Sequence, residues 1–394
     1  MLYCDIYEKL KFVFDQNENV VEENELGVRI RKMEFNSLDV DRTQIPDSQD
    51  PDEELYAGCL LSPSEDCKIT TNTSFKYYIF ENISAEKPKG IIFLLHGLNE
   101  KKWDKYLPWA YHLARQTRKT VILFPLAFHM NRAPFVWSDM RLMNKVAQYR
   151  SVKNNNSCTS FANAALSERL EAIPQRFFLS GLQTYIDICT LIKEIRGGKI
   201  NGLPANASID FFGYSIGAFF SLLMMMDNPE RLLSDSRLFI FCGGATYDTS
   251  TPVSRYIVDK LAFSTVLKYY NELFENESLT QEKMLHYFKE FLPGESHFPG
   301  LMNYEKFKSL RQKRMTEIHE KINAVVLVKD NIIPADSIKI TLEGKNKDHT
   351  AKIETMDFDF PYNHVTPFPL KEQFKTSVDY SFRKVFDTAS AFLM

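Results

Sequence analysis

Gly213-Tyr214-Ser215-Ile216-Gly217 sets a serine between two glycines, directly after the apolar run SIDFF (Ser208–Phe212) and directly before the apolar stretch Ile216–Met226. In that setting G-x-S-x-G describes a sharp strand-to-helix turn that lifts the hydroxyl clear of a sheet, and the glycines carry no Cβ to strike the neighbouring backbone. Such a serine can attack a carbonyl carbon, but only with a base to take its proton. His286, His297, His319, His349 and His364 follow it in the chain. Of these, His364 lies in FPYNHVTPF, between the last expected strand and the C-terminal helix, where a sheet-edge loop can deliver an imidazole to the serine.

An acid must then orient the imidazole and stabilise its cation. The run AVVLV (Ala324–Val328) is followed by Lys329-Asp330-Asn331-Ile332-Ile333-Pro334, which puts Asp330 at a strand end. Asp336 in the same loop and Asp248 beyond RLFIFC are the other candidates, and each of the three could instead cap a helix or turn. Charge developing on the carbonyl oxygen needs two backbone donors, and the amides of Ile216 and of Leu98, in IIFLL-His96-Gly97-Leu98-Asn99, stand at the expected places. His96 is read as structural. In PLAFHMNRAPFVW, His129 and Arg132 follow another strand on the same edge and can border the pocket, Arg132 meeting an anionic group; a solvated surface arginine is the plainer alternative. Tyr214, beside the nucleophile, is a further pocket candidate, as are Phe263, Tyr269 and Tyr270, which at helical spacing also read as plain core.

These residues need elements to hold them. Buried strands are expected at Ser74–Phe80, Ile91–Leu95, Thr120–Phe124, Ser208–Phe212, Arg237–Cys242, Ala324–Val328 and Ala351–Met356. Helices are expected over Trp103–Thr117, around Leu182–Ile192 with Gly197 and Gly198 as the stop, over Ile216–Met226, and from Lys371 to Phe392. The alternation makes this an α/β chain with a mostly parallel sheet between helices. Residues 1–70 read as an N-terminal extension that includes the acidic loop DSQDPDEE. Residues 71–394 read as the main domain, with insertions at 127–176 and, as a helical lid, at 247–321.

Composition narrows the class of function. With 44% hydrophobic and 25% charged residues among 394, the chain can bury a large core, and its net charge of -3 is not gathered into a basic footprint for nucleic acid. Its longest central apolar stretch, Ala218–Met226, is about half of the roughly 20 residues of a membrane span. The N-terminus has no signal-peptide pattern, which points to the cytoplasm, and the six cysteines read as free thiols, Cys59 and Cys67 being the one pair placed to close a short loop. No strand is followed by G-x-G-x-x-G or a P-loop, and no H-E-x-x-H occurs, so neither cofactor nor metal is expected.

The succession strand-His-Gly-Leu, Gly-Tyr-Ser-Ile-Gly, strand-x-Asp-Asn-Ile-Ile-Pro and a late histidine resembles the α/β-hydrolase superfamily, over Phe75–Met394 outside the two insertions. The resemblance implies an eight-stranded, mostly parallel sheet, no cofactor, and an acyl-enzyme on Ser215 hydrolysed by water that His364 activates. Carboxylic esters are the small-molecule substrates it implies. Acyl transfer, or cleavage of amides or peptides, would use the same triad, and a non-catalytic binding protein on the same fold is the alternative of another class. The chain departs from the pattern in its first 70 residues, in the length of the first insertion, and in lacking a glycine before Asp330.

Overall fold

The computed structural model describes residues 1–38, 58–84, 88–154, 158–275, 296–345 and 351–394. The acidic loop at 47–54, His286, His349 and the middle of the expected lid lie outside them.

Nine strands form one sheet in the order β1-β2-β3-β5-β4-β6-β7-β8-β9. They are β1 (Val20–Glu23), β2 (Val28–Asn36), β3 (Ser74–Asn82), β4 (Gly90–Leu95), β5 (Thr120–Leu123), β6 (Ser208–Tyr214), β7 (Leu238–Phe241), β8 (Ile322–Leu327) and β9 (Lys352–Met356). From β5 to β9 every pairing is parallel, and β1, β2 and β3 extend the sheet antiparallel. This is the α/β-hydrolase fold. Every residue of β4, β5, β7 and β8 is buried, as continuous apolar strands covered on both faces must be.

The pleat sends alternate side chains into two cores. Ile91, Phe93 and Leu95 of β4 join Phe211, Ile240 and Val326 on one face, under the helices Gln175–Arg196 and Ile216–Asp227. Ile92 and Leu94 join Phe212, Tyr214, Phe241 and Val325 on the other, with the helices Tyr3–Phe14, Leu107–Thr117 and Lys375–Leu393.

The first 36 residues are built differently from the expected extension: they belong to this sheet and core. Tyr3, Ile6, Leu10 and Val13 recur at helical spacing and are buried. In β2, Val28 and Ile30 point inward, while Arg29 and Arg31 turn out to meet Glu22 and Glu81. This strand pairs with β3 from Val28↔Asn82 to Asn36↔Ser74. Its alternation is interrupted by Arg31-Lys32, which hides the strand in the sequence, and pairing with β3 supplies what local pattern does not.

In the first insertion lie the helices Met140–Asn154 and Ala164–Ala172, and the second of these packs on Lys260–Glu275 from the second insertion. The two segments therefore meet above the sheet. No disulfide joins any of the six cysteines, all of which lie among the described residues, so the Cys59–Cys67 loop is not closed; Cys59 is buried and Cys67 exposed. No helix among the described residues is long and apolar enough to cross a membrane.

Candidate active site

β6 ends at Tyr214, and Ser215 takes the left-handed φ of 56° with ψ of -122° before the helix Ile216–Asp227 begins. A non-glycine residue pays strain there, and close packing holds it in place. A Cβ on Gly213 would come within 2.5 Å of the Ala218 Cα, and one on Gly217 within 2.5 Å of the Leu95 carbonyl oxygen. Only glycine permits that approach, so the tight turn follows from the two flanking glycines.

The loop after β9 brings in His364. Its Nε2 accepts a hydrogen bond from Ser215 Oγ at 2.8 Å, and its Nδ1–H donates to Asp330 Oδ2 at 2.7 Å. Asp330 Oδ1 in turn accepts the amides of Ile332 and Ile333 at 2.9 and 3.0 Å. Both carboxylate oxygens are thus engaged, and one tautomer satisfies every contact. All three side chains are buried. Burial and the charge of Asp330 push the neighbouring Cys242 thiol well above its usual range, so it stays protonated beside the carboxylate.

Asp248 and Asp336 are not brought to His364. Asp248 accepts the Tyr304 amide at 2.9 Å, and Asp336 stands exposed in the first turn of the helix Ala335–Glu343, beside Lys339. His297 pairs with Asp227 at the far end of the helix that Ser215 begins, and His319 is a half-buried residue bonded to the Thr316 carbonyl.

Gly97 and Leu98 lie directly against the serine: a Cβ on Gly97 would stand 3.4 Å from the Ser215 Cβ. The Gly97 amide donates to the Tyr106 hydroxyl at 3.0 Å, which anchors the loop and leaves the Leu98 amide next in line. Ile216 is the first residue of its helix, where an amide has no intrahelical acceptor and the dipole favours negative charge. His96 is structural, its Nδ1–H on the Gly97 carbonyl and its Nε2 accepting the Leu126 amide at 2.9 Å. Burial holds its pKa well below the ordinary histidine value.

The pocket candidates separate. Tyr214 is buried, donates its hydroxyl to the His364 carbonyl and stacks on the imidazole with centroids 5.3 Å apart. It holds the His364 loop and ring in place. Arg132 does not await an anion in the pocket: it is fully buried, pairs with Asp187 at 2.9 Å and bonds the carbonyls of Asn72 and Pro125. A guanidinium that deep needs a carboxylate of the protein, and the helix Gln175–Arg196 supplies it. His129 does border a cavity, with Nδ1–H on the Ala127 carbonyl and no hydrogen-bond partner for its buried Nε2 among the described residues. Tyr270 is core, its hydroxyl accepting the Phe178 amide.

Two hollows lie beside the serine and share Leu98 as a wall. A cleft of about 430 Å³ contains Ser215, His364 and Leu98 and is rimmed by Trp137, Phe161 and Tyr256. Behind Leu98 and Ile216 lies a narrower apolar cavity of about 90 Å³, walled by Leu166, Leu170, Phe177, Phe219 and Phe298. Sequence reasoning missed these walls, and Lys101 in the cleft, because residues that only line a space leave no spacing to read. Among the described residues no group of His, Cys, Asp or Glu is arranged to hold a metal ion.

A protein family of unknown function, DUF6051, matches residues 1–394. The chain belongs to that family. No curated protein matches its sequence. Among solved structures it is similar to a carboxyl esterase of the mycorrhizal fungus Tuber melanosporum, with 10% identity, 82% of each chain covered and a TM-score of 0.44. A hyperthermophilic esterase of the archaeon Pyrobaculum calidifontis is 9% identical over 98% of this chain and 88% of its own, with a TM-score of 0.44. A thermostable esterase of Pseudomonas putida is 10% identical over 99% and 90%, again with a TM-score of 0.44. Likenesses this remote carry no weight for the site of this DUF6051 member, whose chemistry has to be read from its own residues.

Proposed function

We propose that the chain is a serine hydrolase that cleaves carboxylic esters through an acyl-enzyme on Ser215. The observation that carries this reading is the unbroken line from Ser215 Oγ through His364 Nε2 and Nδ1 to Asp330 Oδ2, closed by bonds of 2.8 and 2.7 Å.

In the first half-reaction Ser215 Oγ attacks the carbonyl carbon while His364 Nε2 takes its proton. Asp330, held by two amides, keeps Nδ1 protonated and stabilises the imidazolium. The oxyanion turns toward the amides of Leu98 and Ile216, and donors already in place cost no reorganisation as charge develops. When the tetrahedral intermediate collapses, the bond to the alcohol oxygen breaks and that oxygen takes the proton from Nε2. A water then gives its proton to His364 and attacks the acyl carbon, and Ser215 leaves with the proton returned.

The leaving oxygen must reach Nε2, so the alcohol part occupies the cleft that contains His364. The acyl part then enters the apolar cavity behind the two amides, whose small volume fits short chains. In this reading the acyl cavity is walled in part by Leu166 and Leu170 from the first insertion and by Phe298 from the second. A fluorophosphonate probe tests the core of the reading. Labelling should fall on Ser215 and vanish in Ser215→Ala and His364→Ala; folded wild-type protein that stays unlabelled would favour a binding protein on the same fold.

A further inference from the structure

The cleft beside Ser215 holds a cation that the protein leaves unanswered. Lys101 lines it three residues beyond Leu98, half-buried, with one ammonium hydrogen donated to the Trp137 carbonyl oxygen at 2.5 Å. No carboxylate stands within ion-pair distance of it among the described residues. Its neighbour Glu100 is taken by Lys105, and Lys102, the remaining charged group lining the cleft, is a second cation.

The fully buried cations are treated differently, whereas the half-buried Lys32 and Lys321 also bond carbonyls and meet no carboxylate among the described residues. Lys119 meets Asp210, Arg132 meets Asp187, Arg150 meets Asp259, and Arg169 and Arg176 share Asp66. Arg311, which bonds two carbonyls and lies over the ring of Tyr304, lines neither hollow at the serine. A desolvated ammonium with hydrogens to spare is costly, and the cost is relieved when an anion enters. Burial lowers the pKa of Lys101 to about 8, which leaves it charged at neutral pH.

We propose that Lys101 is a specificity-determining residue whose ammonium binds an anionic group on the alcohol portion of the ester. The assignment rests on the hydrolase reading, because His364, as proton donor to the leaving oxygen, puts the alcohol in the cleft that Lys101 also lines. The ligand chemistry is a carboxylate or similar small anion, a few bonds from the ester oxygen.

The probes are the butanoyl esters of para-hydroxybenzoate and of para-hydroxybenzamide, alike in size and different in charge. Wild-type protein should prefer the benzoate ester by roughly tenfold in kcat/KM, mainly through KM, as a charge-assisted hydrogen bond warrants. In Lys101→Met the ratio of the two should fall to about one. Lys101→Gln, which can still donate to the Trp137 carbonyl, should lose the ratio in the same way and serves if the methionine variant does not fold. A wild-type ratio near one, or a ratio kept by either folded variant, overturns the inference while Ser215 labelling leaves the hydrolase reading standing. If neither ester is cleaved and Ser215 is not labelled, both fall.

Discussion

The two ends of one helix, Ile216–Asp227, each carry a histidine–aspartate pair, and only one of them reaches a serine hydroxyl. At the N-terminal end His364 joins Asp330 to Ser215, with the positive end of the helix dipole and a cleft of about 430 Å³ beside it. At the C-terminal end Asp227 accepts both the backbone amide and Nδ1–H of His297, at 2.7 and 3.0 Å. Desolvation raises the pKa of that carboxyl, and the bonds from His297 counter it. Both histidines are buried. The difference is that the second nitrogen of His364 meets a strained serine, whereas His297 uses its backbone amide and Nδ1–H on Asp227 at the last residue of the helix. A buried His–Asp pair is therefore no sign of catalysis until its other nitrogen has a nucleophile.

The strongest way to break this contrast is to remove each histidine. His364→Ala should cut ester turnover by roughly 10,000-fold or more, as loss of a base does where three residues act as a unit. Equal losses in His364→Ala and His297→Ala, measured as kcat/KM on a butanoyl ester, would erase the distinction. Asp330→Asn should cost about 1,000-fold or more, because an amide in place of the carboxylate favours the wrong imidazole tautomer, and its kcat is the quantity to follow. His297→Ala belongs to stability instead. Leaving the Asp227 carboxylate with fewer donors should destabilise the fold by about 1–3 kcal/mol in urea titration, with turnover close to wild type.

A smaller effect separates these pairs from His129 and His96, which bond backbone groups and meet no carboxylate among the described residues. Burial holds His129 at about 4, below its ordinary 6.5, and shifts His96 in the same direction. A folded-state pKa below the unfolded one means stability that is complete above about pH 6.5 and is lost as pH falls toward 4. The His129 share should amount to about 2 kcal/mol between pH 7.5 and pH 5, and His129→Gln should flatten the urea stability curve by that amount.

Much of the site was legible because its chemistry demands residue types at fixed places in chain order. Ser215, His364 and Asp330 carried such marks, and the structure brings these three side chains together. Arg132 carried the same mark as His129, a position after a strand on the active edge. It proved to be a buried partner of Asp187, a residue far along the chain with nothing in its own surroundings to announce the pairing. Tyr214 was singled out for its place beside the nucleophile, yet its hydroxyl turns to the His364 carbonyl.

By itself the sequence determined the alternation of buried strands and helices and the strained turn at Ser215, since apolar runs and flanking glycines act on the chain within a few residues. Tertiary structure alone decided that residues 20–36 join the sheet, that Asp330 rather than Asp248 or Asp336 meets His364, and that Lys101 lines the cleft with no carboxylate beside it among the described residues. Those outcomes depend on which distant segments pack together, and burial, which makes a charge costly and a pairing necessary, exists only once they have.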